Sequence, residues 1–210
     1  MAVKPILFNT EMVRAILDGR KTCTRRIVKG FIPDDAVWGY TVFTPQGYIS
    51  CRGTFPVGYG ERFFKLPYQK GDILYVRETW TRFECWNCEG DEKGNCVKEP
   101  HISVLEKQGG CYLYRATSEI SGDARWHPSI HMPKEAARIW LKVTDVRVER
   151  LQDITEDGAK AEGANWKNGQ NVGWEEKMKR TATERFAEIW DSTIKKSDID
   201  RYGWNANPWV

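Results

Sequence analysis

No stretch of this chain is long and apolar enough to cross a bilayer, which takes about 20 such residues, so a helical membrane span is not expected. The opening residues Met1-Ala2-Val3-Lys4-Pro5-Ile6-Leu7-Phe8 have neither the apolar run nor the small-residue cleavage site of a secretory signal. There is no internal repeat and no low-complexity tract, which argues against a repeat array. A strong charge bias is also lacking. The net charge is +3, too mild to indicate a nucleic-acid partner by itself. These absences lead to the expectation of a cytoplasmic protein without a membrane partner. Its six cysteines are then expected as free thiols or metal ligands rather than disulfides.

What is present fits one domain over residues 1–210 with an insertion at about 84–110. Hydrophobic residues make up 40% and charged residues 29%, an ordinary globular balance. Ten tryptophans are many for 210 residues. They suit the core of a barrel, and they equally suit stacking on bases.

Along the chain, Asn9 or Thr10 can cap a helix through Met12, Val13, Ile16 and Leu17, with Gly19 as its stop. A strand is expected from Thr24 to Val28. Residues 31–67, rich in glycine, proline and aromatics, read as short strands and long loops with no clear placement. Lys70-Gly71-Asp72 forms a turn into a strand from Ile73 to Trp80. Cys111 to Ala116 is another strand, and 126–133 is a proline-bracketed loop. Ile139 to Leu151 alternates and is the longest strand candidate. Asp153-Ile154-Thr155-Glu156 has the look of a capping box, starting a helix to Glu162 that Gly163 ends. Thr181 and Glu184 form a second capping box, for a helix burying Phe186, Ile189 and Trp190. Several strands with short helices between them give an α+β fold, expected as a small mixed barrel with peripheral helices.

The segment Gly19-Arg20-Lys21-Thr22-Cys23-Thr24-Arg25-Arg26 carries the clearest chemistry. A lysine and a hydroxyl residue stand close together in a cationic stretch. That pairing suits gripping a phosphate-bearing or polar ligand, or activating a hydroxyl nucleophile. The plainer readings stay open: a solvated basic face, a lysine placed at the C-terminal end of the preceding helix where a cation is favoured, and an ordinary strand threonine.

The ordered set of Leu17-Asp18-Gly19-Arg20-Lys21-Thr22, Thr24-Arg25-Arg26, the Gly71-Asp72 turn before Val76-Arg77-Glu78-Thr79-Trp80, the 139–151 strand and the helix holding Glu162 resembles an ASCH domain. That family belongs to the PUA-like superfamily of small β-barrels. Ser129-Ile130-His131-Met132-Pro133 and Asn207-Pro208-Trp209-Val210 are similar to its larger phage and prophage members. Such members continue past this point into a closing strand, so the expectation here is either a barrel without its last strand or a truncated sequence. The resemblance covers nearly all of the chain outside the cysteine-bearing insertion. It implies binding of RNA or a modified nucleoside. It also implies similarity to amidohydrolases that remove the acyl group from N4-acetylcytidine, with the lysine, threonine and glutamate of that chemistry at Lys21, Thr24 and Glu162.

In such a reaction Thr24 would attack the acyl carbonyl. Lys21 would be its base if burial or the neighbouring Arg20, Arg25 and Arg26 lowered its pKa, and Glu162 would move a proton to the leaving amine or orient Lys21. In a regular strand Lys21 and Thr24 would face opposite ways, so convergence requires Lys21 to lie in the turn after Gly19. Further ligand contacts are expected from Arg77, Glu78, Trp80, Tyr114, Arg115, Ser129 and His131, with Trp80 available for base stacking. An Arg77–Glu78 pair, a core tryptophan and a histidine serving loop backbone are the structural alternatives. A non-catalytic RNA-binding module and a phage interaction protein with a vestigial cleft remain the alternative functions.

Within the insertion, Cys85-Trp86-Asn87-Cys88 is a Cys-x-x-Cys knuckle followed by Cys96. With His101 or Cys111 as fourth ligand it suits one structural zinc. A second knuckle is missing, so free thiols or a Cys85–Cys88 redox pair remain alternatives. Cys23 and Cys51 are expected as lone thiols, and no organic cofactor is expected.

Overall fold

The computed structural model describes residues 1–83, 111–118, 125–164 and 181–210. Two units emerge, Met1–Leu17 with Lys70–Asp145, and Asp18–Gln69 with Val146–Val210. The architecture is α+β, with small sheets and few helices, and no closed barrel is present among the described residues.

In the first unit a sheet has the order β1-β5-β8, formed by β1 (Val3–Leu7), β5 (Ile73–Arg77) and β8 (Trp140–Lys142). β1 runs parallel to β5, with Ile6 beside Val76, and β8 runs antiparallel to β5. Leu74 and Val76 alternate inward, as period-2 geometry requires of apolar residues on one face. Pro5 is tolerated because β1 is an edge strand. The turn into β5 uses Gly71 at φ +91°, and the buried Asp72 carboxylate accepts from the Ala2 amide and the Lys4 ammonium. Helix α1 (Thr10–Leu17) is capped by the Asn9 side chain, which accepts from the Met12 amide at 2.8 Å. Gly19 follows at φ +71°, a left-handed conformation that a Cβ would strain. A second pair, β6 (Trp80–Phe83) with β7 (Cys111–Tyr114), covers a cluster of Tyr112, Tyr114, Met132 and Ala136.

In the second unit β2 (Val37–Gly39), β3 (Tyr48–Phe55) and β4 (Gly58–Lys65) form an antiparallel sheet. Its hairpin holds the longest strands described, in the region 31–67 whose strands could not be placed from composition. β4 hides the usual signal: it is exposed along most of its length and carries Gly58 and Gly60, so apolar residues do not alternate. Gly53 is required in β3, since a Cβ there would lie 2.6 Å from the Pro33 ring. The core of this unit is built by α2 (Glu156–Ala161) and α3 (Ala182–Thr193). Leu151, Ile154, Ala159, Phe186, Trp190 and Val210 meet there, and α4 (Ile199–Tyr202) follows. The Thr181/Glu184 capping box forms with both of its hydrogen bonds. At α2 the cap is Thr155, whose hydroxyl accepts from the Gly158 amide, two residues later than a cap at Asp153 would act.

Three expected strands differ from expectation. The 73–80 stretch breaks after Arg77, and Trp80 opens β6. Only Trp140–Lys142 of the 139–151 stretch pairs as a strand, and the stretch divides between the units after Asp145. Thr24 to Val28 forms no strand; Val28 donates to the Trp209 carbonyl at 2.9 Å. Residues 208–210 run between this segment and 149–151: Glu149 and Val210 exchange both backbone bonds, and Leu151 donates to the Pro208 carbonyl. Asn207, at φ 45°, sets the bend before them, and the Arg150 guanidinium lies 4.5 Å from the Trp209 ring centroid.

Candidate functional site

The chain leaving Gly19 meets the C-terminal end of α2. Thr22 and Cys23 both donate their amides to the Ala161 carbonyl, at 2.7 and 3.0 Å, and Lys21 and Glu162 form an isolated antiparallel bridge. The last carbonyls of a helix have no partners within it, so amides and a cation are the complement they require. Lys21 supplies the cation. Its Nζ donates to the Glu162 carbonyl at 3.0 Å, to the Cys23 carbonyl at 2.8 Å and to Glu162 Oε2 at 2.5 Å. The helix end that Lys21 serves is thus that of α2, not that of the preceding helix α1 as the sequence suggested, and the same side chain makes the contact with Glu162.

Glu162 is shared. Its Oε1 accepts from Arg25 Nη1 at 3.1 Å, while Arg25 Nε and Nη2 both turn to Glu149 Oε1, at 3.1 and 2.5 Å. Arg147 Nε then binds Glu149 Oε2 at 3.0 Å. The result is a line of alternating charge, Lys21–Glu162–Arg25–Glu149–Arg147, whose side chains are 2%, 5%, 9%, 22% and 69% exposed. Charges this deep persist only when paired and hydrogen-bonded, and here each buried member has its counter-charge in contact. Burial pulls the Lys21 amine below its ordinary pKa. Glu162 opposes that shift, and the Arg26 charge reinforces it.

Thr24 is half-buried, and its Oγ1 accepts from Arg26 Nη1 at 2.6 Å. Arg26 also donates to the Arg25 carbonyl. Arg20 binds Asp18 Oδ2 through Nε and Nη2 and reaches the Gly163 carbonyl at 3.4 Å. Lys21, Thr24, Arg20, Arg25, Arg26 and Glu162 thus all belong to the second unit.

The remaining expected ligand contacts belong to the first unit. Glu78 is 1% exposed, and its partner is Arg138, not Arg77: Nε and Nη2 meet its two oxygens at 2.9 and 3.0 Å. Arg77 Nε donates to the Met132 carbonyl. The Tyr114 hydroxyl donates to the Ala136 carbonyl, with the Arg138 guanidinium 4.0 Å from its ring centroid. Trp80 packs edge-on to Tyr112 and beside His127, 5.3 and 5.0 Å between centroids. Arg115 lies over Trp126, 5.2 Å away, and Ser129 and His131 bound a 3-10 turn with the His131 side exposed.

Glu149 and Arg138 went unremarked in the sequence. Arg147-Val148-Glu149-Arg150 reads as any charged edge, and nothing near Arg138 points to Glu78, 60 residues earlier. Of the expected zinc ligands, Cys85, Cys88, Cys96 and His101 lie outside the described residues, and Cys111 is described only as backbone in β7. Among the described residues no group of three His, Cys, Asp or Glu side chains is placed to hold a metal, and Cys23 and Cys51 are free thiols. No described helix is long and apolar enough to cross a membrane.

Compared with protein-family models, with curated proteins and with solved structures, the chain has no match in any of them.

Proposed function

We propose that the chain is an ASCH-type, PUA-like protein that recognises a modified nucleoside or RNA, and that it hydrolyses the acyl amide of N4-acylated cytidine or a related compound. The observation supporting this reading is the contact of Lys21 with Glu162, residues 141 apart in sequence, in a buried pair whose amine is shifted toward its neutral form. Thr24 stands three residues along the same segment.

In this reaction Thr24 Oγ1 attacks the acyl carbon while its proton goes to neutral Lys21. The Arg26 hydrogen bond to Oγ1 leaves the hydroxyl proton free and stabilises developing negative charge on oxygen. Glu162 relays a proton to N4 as the carbon–nitrogen bond breaks, releasing cytidine and leaving an acyl ester on Thr24. Water, deprotonated by Lys21, cleaves the ester to the free acid and restores the hydroxyl.

The test is incubation of purified protein with N4-acetylcytidine and chromatography of the products, beside Thr24→Ala and Glu162→Gln. Cytidine and acetate in equal amounts are expected from the wild type, with a loss of at least 100-fold in either variant. No turnover by folded wild-type protein, or full activity in Thr24→Ala, would overturn the proposal.

One observation favours a second reading, a non-catalytic RNA-binding module. All three ammonium protons of Lys21 already have acceptors, as in a static lock on the end of α2. Arg25 is held by two carboxylates, so exposed Arg26 is the better probe of phosphate contact. On this reading RNA affinity falls steeply with salt, and Arg26→Ala lowers both the affinity and the salt slope. An interaction protein with a vestigial cleft would show neither turnover nor salt-dependent binding.

A further inference from the structure

Arg25 is the only residue of the charged line that touches both carboxylates, and the way it is held decides how much of Glu162 is left for Lys21. A guanidinium presents its donors as a planar fork. Here Nε and Nη2, the edge best suited to gripping a carboxylate with two bonds, are both committed to Glu149 Oε1. Only Nη1 reaches Glu162, on Oε1, and Oε2 is left to the Lys21 ammonium.

Glu149 is itself fixed. Its backbone N–H and C=O are both bonded to Val210, at 3.1 and 3.0 Å, and its second oxygen is occupied by Arg147. The anchor is therefore set by the chain pairing of 149 with 210, independently of Arg25.

We propose that Glu149 is a positioning residue for the Lys21–Glu162 pair: by holding two donors of Arg25, it keeps the Glu162 carboxylate divided between Arg25 and Lys21. The inference rests on the functional reading above only for its consequence in catalysis; the division of Glu162 is a property of the pair itself. Removing the Glu149 charge frees the Arg25 fork to take both Glu162 oxygens and leaves the guanidinium charge uncompensated. Both effects make the protonated amine of Lys21 less favourable. Removing the Arg25 charge does the reverse, since Glu162 then serves Lys21 alone. The groups acting on Lys21 are Glu162 at the end of α2, Arg25, Arg26 and Cys23 on its own segment, and Glu149 with Arg147 through Arg25.

The experiment is a titration of Lys21 by pH-dependent trace acetylation read by mass spectrometry, in wild-type protein, Glu149→Gln, Glu149→Asp and Arg25→Gln. Folding of each is checked by near-ultraviolet circular dichroism. Glu149→Gln is expected to lower the Lys21 pKa and Arg25→Gln to raise it, each by roughly 0.5–1 unit, with Glu149→Asp restoring most of the wild-type value. Shifts of the same sign in both, or none in either, would overturn the proposal. Should Glu149→Gln not fold, Arg25→Gln carries the test alone: an unchanged or lowered pKa refutes it.

The pH dependence of N4-acetylcytidine hydrolysis separates the two claims. If the wild type turns nothing over but the titrations move in opposite directions, the positioning role stands and the hydrolase reading falls. If turnover is present and Lys21 titrates alike in all variants, the hydrolase stands and the positioning role falls.

Discussion

Replacing Arg138 with methionine takes two charge-assisted hydrogen bonds from a carboxylate that is 1% exposed, along with one bond to Thr117 and the stacking on Tyr114. Glu78 keeps its place in the fold, and its charge loses its bidentate counter-ion. Breaking a buried pair in this way costs about 3–5 kcal/mol, against about 0–1 kcal/mol for an exposed pair. Total stabilities of natural domains are about 5–15 kcal/mol, so the loss is a large share of what holds the fold. At about 2–4 °C per kcal/mol for chains of this size, the melting temperature should fall by about 10 °C. The assay is urea denaturation at pH 7 followed by tryptophan fluorescence, with thermal melting beside it. Removing both partners, Glu78→Leu with Arg138→Met, should recover most of the loss, because two apolar side chains leave no stranded charge. A cost below about 1 kcal/mol for Arg138→Met, or a double variant as damaged as the sum of the singles, would refute the assignment of Glu78 and Arg138 as an interdependent buried pair.

Thr181→Ala should cost about 1 kcal/mol in the same denaturation assay, since it removes the hydroxyl half of the α3 capping box. Glu156 caps the same helix from α2, accepting from the Ala182 and Thr183 amides, and the Ala182 bond above all holds its carboxyl below the ordinary range. Its stabilising effect is present above the unfolded pKa and disappears as pH falls through the folded one, so the melting difference between wild type and Glu156→Gln should close on acidification. For Lys21 the folded pKa lies below the unfolded one. Between them the unfolded chain holds more protons, so the stability of wild type relative to Lys21→Met should grow as pH rises toward the ordinary lysine range; a relative loss there would contradict burial as the dominant influence on Lys21.

Sequence by itself determined the features whose partners lie within one turn of each other. The cap at Asn9 or Thr10, which the structure assigns to Asn9, the Thr181/Glu184 box and the left-handed Gly19, Gly71 and Gly163 all follow from short-range hydrogen bonding and backbone sterics. The α+β class follows from the same local preferences. The β3–β4 hairpin escaped because its second strand buries little on either face, and burial is what writes alternation into a sequence. The 139–151 stretch alternates throughout, yet only Trp140–Lys142 finds a partner strand, and pairing is a long-range condition that alternation does not supply. In the site, the resemblance put Lys21 and Glu162 in one reaction. Tertiary structure alone decided that their contact is buried, that Arg25 divides Glu162 with Lys21, and that Glu149, held by Val210, fixes Arg25. Charges along a sequence carry no record of which opposite charge they will meet. Once water is excluded, that meeting sets the proton affinity of each group, and here it depends on chain segments more than 100 residues apart.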